Sequence, residues 1–361
     1  MSPSLTKKGR RLSLDAYRGF TMLFMASGGF GLHVLRDNGG LLSRLAHQVE
    51  HVPWQGCTMW DLIMPSFIFI VGVAMPFAFA VRRERGQSRA LMFKHVVQRV
   101  LTLLFIGMAL VCIHHDAVYI SFITVLQQIA IAYFFAFFVL GRGLRTQAVT
   151  AVGILLAHWA LFVLWPGAGP FGPWAKNVNF AAALDLWWSG SYNPGGYTSF
   201  NAFSSTATVI FGIMAGELLR KDIREKSKVL YLIAAGVVFL ALGMFLNPVL
   251  PVVKRIWTAS WTLYSTGWAL LLLAFFYWMI EVMNRRKWCF IFMVVGMNSI
   301  TIYIISQLLS GTFRDWSWVF TRPFLSPLGD AGIIIQALIV VSMKWYTVYW
   351  LYKHKIFLKV G

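Results

Sequence analysis

Apolar stretches of roughly 20 residues recur from one end of this chain to the other, and that is the length a helix needs to cross a hydrocarbon layer of about 30 Å. Composition agrees, because 58% of the 361 residues are hydrophobic and only 12% are charged, too apolar for a soluble core of this length. Reading apolar runs bounded by charge or by Pro and Gly places helices near 17–35, 60–81, 95–113, 118–140, 147–165, 202–219, 229–246, 260–282, 288–309 and 331–352. The expected fold is an all-α, polytopic membrane bundle of about ten transmembrane helices, a single domain over residues 1–361.

Where the charge sits gives the bundle an orientation. The net charge of +19 would suggest nucleic acid in a soluble protein, but here the basic residues lie in short clusters between apolar runs. Alternate connections carry Arg82, Arg83, Arg85 and Arg89; Arg142 and Arg145; Arg220, Lys221, Arg224, Lys226 and Lys228; Arg285, Arg286 and Lys287; and Lys353, Lys355 and Lys359. The opposite connections hold Arg36, Arg44, Lys176, Lys254, Arg255, Arg314 and Arg322, in loops that are mostly longer. The positive-inside rule then puts the first set and both termini in the cytoplasm, and losing any one helix would scramble the alternation. A multi-pass protein of the inner (cytoplasmic) membrane is expected, with lipid and not nucleic acid as its surroundings; a homodimer is left open. Lys7, Lys8, Arg10 and Arg11 before an apolar run imitate a signal peptide, yet Asp15 and Arg18 interrupt the approach, so a retained first helix is expected. The scattered Cys57, Cys112 and Cys289 indicate neither a disulfide framework nor a zinc site.

Polar groups inside or at the mouths of such helices are costly and therefore candidates for function. Asp15 and Arg18, three apart, share a helical face and are placed for a local ion pair. The segment from His51 to Pro65 crowds polar residues at the mouth of an apolar helix. Asp61, near that helix's start, suits either helix capping or chemistry. His51 supplies an imidazole able to take a proton from an amine or hydroxyl, or to attack a thioester. His33, His47, His51, His114 and His115 fall on the outer side, but HExxH is absent and no spacing matches zinc, so no metal is expected. Tyr197 to Thr208, including Asn201, brings hydroxyls and an amide to another outer mouth, while Gln127, Gln128 and Asn298 are amides within spans, suited to helix contacts or to lining a polar cavity. Glu217 and Glu281 sit beside basic clusters, where a screened pair suffices. The Trp-, Pro- and Gly-rich connections near 36–59, 166–201 and 310–330 fit interfacial anchoring or the cover of a cleft.

The ordered blocks Arg11-Leu-Ser-Leu-Asp15-Ala-Tyr-Arg18-Gly19-Phe20, His51-x-x-Trp54-x-Gly56-x-Thr58-x-x-Asp61-Leu-x-x-Pro65, Leu126-Gln127-Gln128, Lys254-Arg255-x-Trp257-Thr258-x-Ser260 and Gly296-Met297-Asn298-Ser299 resemble the heparan-α-glucosaminide N-acetyltransferase family of transmembrane acyltransferases. The resemblance implies an enzyme that carries an acetyl group from cytosolic acetyl-CoA to a sugar amine on the far side, with His51 as its catalytic histidine and Asp61 beside it. An acyl-CoA co-substrate is expected to dock from the cytoplasm with its phosphates against Arg82, Arg83, Arg85 or Arg99, with Gln127, Gln128, Lys254 and Trp257 as further binding residues, and Trp54, Asn201 and Asn298 are expected on the acceptor side. Two positions depart from the family. Ala26 stands where an active-site Asn is usual, so Ser27, Gly28 or Gly29 would have to serve the oxyanion, and the family's Leu-Gln-Arg is Leu-Gln-Gln here. The large luminal extension of the lysosomal member is missing from this sequence, so heparan itself is not carried over as acceptor. The competing expectation is a transporter or flippase of an envelope glycan or lipid-linked precursor, using the same polar mouths without consuming a thioester.

Overall fold

The structure, a computed structural model, describes residues 11–358. Lys7, Lys8, Arg10 and Lys359, counted above among the basic flanks, lie outside them. Among the described residues no strand occurs and the helices are α1 (Leu12–Ala26), α2 (Gly40–Gln48), α3 (Ile63–Glu84), α4 (Arg89–His115), α5 (Val125–Phe137), α6 (Leu144–Val163), α7 (Phe180–Ser189), α8 (Asn201–Arg220), α9 (Glu225–Leu246), α10 (Ala259–Tyr277), α11 (Phe290–Met297), α12 (Ser299–Leu308), α13 (Ser310–Leu325) and α14 (Asp330–Lys353).

Seven of these, α3, α4, α6, α8, α9, α10 and α14, are long and apolar enough to cross a membrane, and α11 with α12 makes an eighth if the pair, bent by 81°, is one span. The two remaining expected spans are shorter than the sequence suggests. The run 17–35 breaks at Ser27 because Gly28, Gly29, Phe30 and Gly31 all take φ between 55° and 79°, which ends α1 after 15 residues. In the run 118–140 the helix begins only at Val125, where Thr124 and Gln127 form a capping box, and α5 has 13 residues. At about 1.5 Å per residue both fall short of the hydrocarbon thickness.

The centre of the bundle is the pair α3 and α8, whose apolar windows are 72% and 78% buried, whereas that of α9 is 17% buried and faces outward. Lipid offers no hydrophobic drive for helices to associate, so close backbone packing has to supply it. Accordingly, a Cβ at Gly72 would lie 2.2 Å from the Val209 carbonyl oxygen, and one at Gly212 would lie 2.3 Å from that of Phe69. Gly19 of α1 and Gly296 of α11 meet each other's helices in the same way.

Contacts between helix ends sort the connections into two faces. The Arg83 guanidinium reaches the α5–α6 turn at Gly141. Gln147 at the start of α6 donates to Glu217 near the end of α8 at 2.9 Å, and Ser13 at the start of α1 donates to Glu281 beyond α10 at 3.0 Å. Tyr277 at the end of α10 donates to Glu225 at the start of α9. The basic connections therefore share one face, called the basic face below, and the segment 51–61 lies with the α9–α10 connection on the other.

Candidate functional site

Residues 51–62 leave the short helix α2 and enter α3 through a 3-10 turn at Trp60–Leu62. This loop is pinned from both sides. Trp54 Nε1 donates to the Trp174 carbonyl at 2.9 Å, and Gly56 N donates to Val252 O at 2.9 Å. The facing wall is the loop 251–258, in which Thr258 Oγ1 donates to Pro251 O at 2.8 Å and caps α10 by accepting from Trp261 N at 3.3 Å. Arg255 donates to the Val52 carbonyl at 3.1 Å and also to that of Gly195. The loops 51–62 and 251–258, far apart in sequence, are thereby held in register.

Between them lies a buried carboxylate. Asp61 is 1% exposed, and its Oδ1 takes His51 Nδ1 at 2.6 Å and Lys254 Nζ at 3.2 Å. Its Oδ2 takes Val52 N at 3.2 Å, Thr58 N at 3.3 Å and Thr58 Oγ1 at 3.0 Å. These amides precede Asp61, so the carboxylate organises the loop behind it and does not cap the helix ahead. Lys254 Nζ is also 3.4 Å from His51 Nδ1. An ionised carboxylate only accepts, so the short contact requires a hydrogen on Nδ1, and the ammonium is left to bond Asp61. Nε2 is then the ring nitrogen available to react, the orientation a general base or nucleophile needs. His51 is 41% exposed in its side chain, open enough to meet a substrate, while its partners are not.

Burial acts on the neighbours. It lowers the Lys254 pKa from its ordinary value, with the Asp61 carboxylate opposing the change. It pushes the Cys57 thiol up to about 12, with Asp61 adding to the effect, so Cys57 is no thiolate nucleophile near neutral pH. It likewise pushes Tyr197 up to about 12 against the pull of Arg255.

His51 and Lys254 open on a cavity of about 340 Å³ whose walls include Met22 and Met25 of α1, Met64 and Phe67 of α3, Leu126 of α5 and Tyr303 of α12. A second cavity of about 320 Å³ lies towards the basic face and is lined by Arg18 and Arg99. Phe67, Leu126, Ser299 and Ile300 line both. Arg18 lies 3.5 Å from Asp15, and the Arg99 guanidinium stands 5.1 Å from the centre of the Tyr133 ring.

The other residues singled out from sequence fall in several places. Ser27 and Gly28 line a third cavity, away from His51, and Gly29 N donates to Ser27 Oγ at 3.2 Å. Arg82 reaches Gln87 at 3.5 Å, and neither Arg82 nor Arg83 lines the two cavities just described. Gln127 spends its amide on the start of α5 and on Ser121 O at 2.6 Å. Asn201 Nδ2 donates to Arg255 O at 2.9 Å, which makes it a support of the 251–258 loop. Trp257 is fully buried with its Nε1 3.4 Å from Thr208 Oγ1. Gln128 and Asn298 are buried with no partner among the described residues for their side-chain amides, and the neighbours of Asn298, Met297 and Ser299, line the Arg99 cavity. Among the described residues no group of three His, Cys, Asp or Glu could hold a metal ion. Sequence reasoning missed Thr58 as a carboxylate partner, and it missed Lys344, whose charge inside the last apolar run was a readable signal.

The chain has relatives among known proteins. It is 23% identical to the human heparan-alpha-glucosaminide N-acetyltransferase over 97% of its own length, and 23% identical to the protein of that name from Mus musculus over 96%. It spans about 60% of the length of each. The family profile described as heparan-alpha-glucosaminide N-acetyltransferase, catalytic, matches residues 10–244, which take in α1, the His51–Asp61 loop and the central helices, so the chain belongs to that family.

Proposed function

We propose that this protein is a transmembrane acyltransferase of the inner membrane that moves an acetyl or other acyl group from cytosolic acyl-CoA to an amino or hydroxyl group of a sugar or glycan on the extracytoplasmic side. The observation that carries the reading is the His51–Asp61–Lys254 cluster at a cavity that shares its wall with the Arg99 cavity. The basic face is the cytoplasmic one in this reading. The donor's phosphates meet Arg99 and Arg18, and its thioester lies between helices towards His51. Family membership and the activity for which the two relatives are named support the transferase chemistry.

In the reaction, His51 Nε2 takes the proton of the acceptor amine or hydroxyl as that group attacks the thioester carbonyl. The resulting imidazolium is stabilised by Asp61 through Nδ1–H. The tetrahedral intermediate then collapses, the C–S bond breaks, and the CoA thiolate leaves and is protonated, by the imidazolium or by water. Lys254 keeps Asp61 ionised while remaining itself behind the reacting atoms. The Asn298 amide has no partner among the described residues, and it is a hydrogen-bond donor suited to the developing oxyanion or to the carrier's own amides.

Purified protein reconstituted in vesicles, given acetyl-CoA on the basic side and glucosamine on the other, should release free CoA thiol and acetylated sugar. His51→Ala should fold and lose about 10²–10⁴-fold in rate. A folded His51→Ala variant that releases CoA at the wild-type rate would overturn the mechanism, and movement of intact sugar without thioester cleavage would favour a transporter.

A further inference from the structure

The last apolar helix carries a lysine that the reaction just described does not use. Lys344 lies 14 residues into α14 and is 4% exposed. Its Nζ donates to the Ala26 carbonyl, at the end of α1, at 2.7 Å. Among the described residues that is its one hydrogen bond, and no carboxylate lies within ion-pair distance of it. An ammonium has three hydrogens to donate, and a cation held inside a membrane bundle normally has an anion to face.

Lys344 faces the third cavity, of about 550 Å³, within the about 300–1,000 Å³ usual for small-molecule sites. Ser27, Ser310, Gln336, Arg314 and Trp318 also line it. Gln336 is locked by Thr321, Ser317 and the Arg314 carbonyl, which ties α13 to α14 and makes this wall rigid. His33 and Asp315 complete the titratable lining; Asp315 stands 3.7 Å from Arg314, which leaves Lys344, among the described residues of this lining, as the cation without a counter-ion. An aromatic ring and hydroxyls around one unpaired cation form a surface for a sugar that carries an oxyanion.

We infer that the Lys344 cavity is a binding site for a carboxylate or phosphate group borne by a sugar, separate from the His51 cavity and independent of acyl transfer. One N–H of Lys344 holds the end of α1 and the other two bond the oxyanion, so a ligand here also fixes the turn at Ser27–Gly28 where α1 ends.

The test is binding to the full-length protein in nanodiscs of zwitterionic lipid, read by thermal shift and by titration with glucuronate and, as neutral control, glucose. Glucuronate should bind and glucose at least tenfold more weakly. Lys344→Met should lose the glucuronate effect at least tenfold and Lys344→Arg should keep most of it, while His51→Ala leaves it unchanged even if transfer is abolished. Gly311 lines the cavity and a Cβ there meets nothing within 4 Å, so Gly311→Leu has room to start into this space and should block glucuronate even if Lys344→Met fails to fold. Stabilisation by phosphatidylglycerol in the nanodisc in place of glucuronate, lost in Lys344→Met, would keep the site and make a lipid phosphate its source of oxyanion. Equal binding of glucose and glucuronate, glucuronate binding that survives both Lys344→Met and Gly311→Leu, or binding of neither glucuronate nor phosphatidylglycerol, would overturn the inference.

Discussion

Asp61 is held by groups on both oxygens, and removing its charge exposes what each of them is for. A carboxylate at 1% exposure beside a lysine at 4% is a buried ion pair, and breaking such a pair from one side costs about 3–5 kcal/mol because the remaining charge stays buried. Asp61→Asn should therefore lower stability by about that amount and also release His51 from its tautomer. The double variant Asp61→Asn with Lys254→Met should recover most of the stability, read by thermal unfolding, while acyl transfer stays depressed; recovery of transfer in the double variant would show the carboxylate to be only a counter-ion. At this scale the sequence was partly readable. His51 and Asp61 stand in one short block, and their meeting follows from a turn of ten residues. Lys254 lies 193 residues from Asp61, and nothing local announces that partnership. Ser27, Gly28 and Gly29 follow directly on α1, yet the break turns Ser27 and Gly28 towards Lys344 and not towards His51.

Helices of 20 or more residues announce themselves through their apolar length, and α3, α4, α6, α8, α9 and α14 all lie where the runs are. Shorter elements do not. The helices α2 and α7 have only 9 and 10 residues, α13 mixes charged and aromatic residues that read as a loop, and three of the four residues that stop α1 are glycines inside a run that reads as apolar. The residues before Thr124 are apolar but carry no helix, since the cap that starts α5 lies at Thr124 itself. What sequence could mark, without saying what it meets, is the glycine seam of α3 and α8. Gly212→Leu would place a side chain where the Phe69 carbonyl lies 2.3 Å from the Cβ alone. Both helices are buried here, so backbone and not a flexible side chain would have to give way. The expected loss is about 1–3 kcal/mol or more, measured as a fall in thermal midpoint in detergent. The same change at Gly153, which faces open space on α6, should be near neutral, and equal effects at the two positions would argue against a seam.

At the level of the whole molecule, the basic connections and the His51 loop occupy opposite faces, and the proposed chemistry works only if those faces see different compartments. The span from Arg82 to Asp61 along α3 is about 30 Å at 1.5 Å per residue, so a donor held at the rim would present its thioester far from the imidazole. Arg99, ten residues into α4, lies about 15 Å inside the basic face by the same measure and shortens that reach by half. Orientation can be read directly with single cysteines in a background lacking Cys57, Cys112 and Cys289. Arg142 and Arg286 lie exposed in connections of the basic face, and Ser191 lies exposed in the long connection of the other. With an impermeant thiol reagent applied to intact cells, Ser191→Cys should be labelled, and Arg142→Cys and Arg286→Cys only after the membrane is opened. Labelling of Arg142→Cys from outside would put the arginine cluster on the wrong side to meet cytosolic acyl-CoA. Labelling of Arg142→Cys and Arg286→Cys from opposite sides would mean that the helices between them cross an odd number of times, which the pairing of Gln147 with Glu217 and of Tyr277 with Glu225 on one face does not allow.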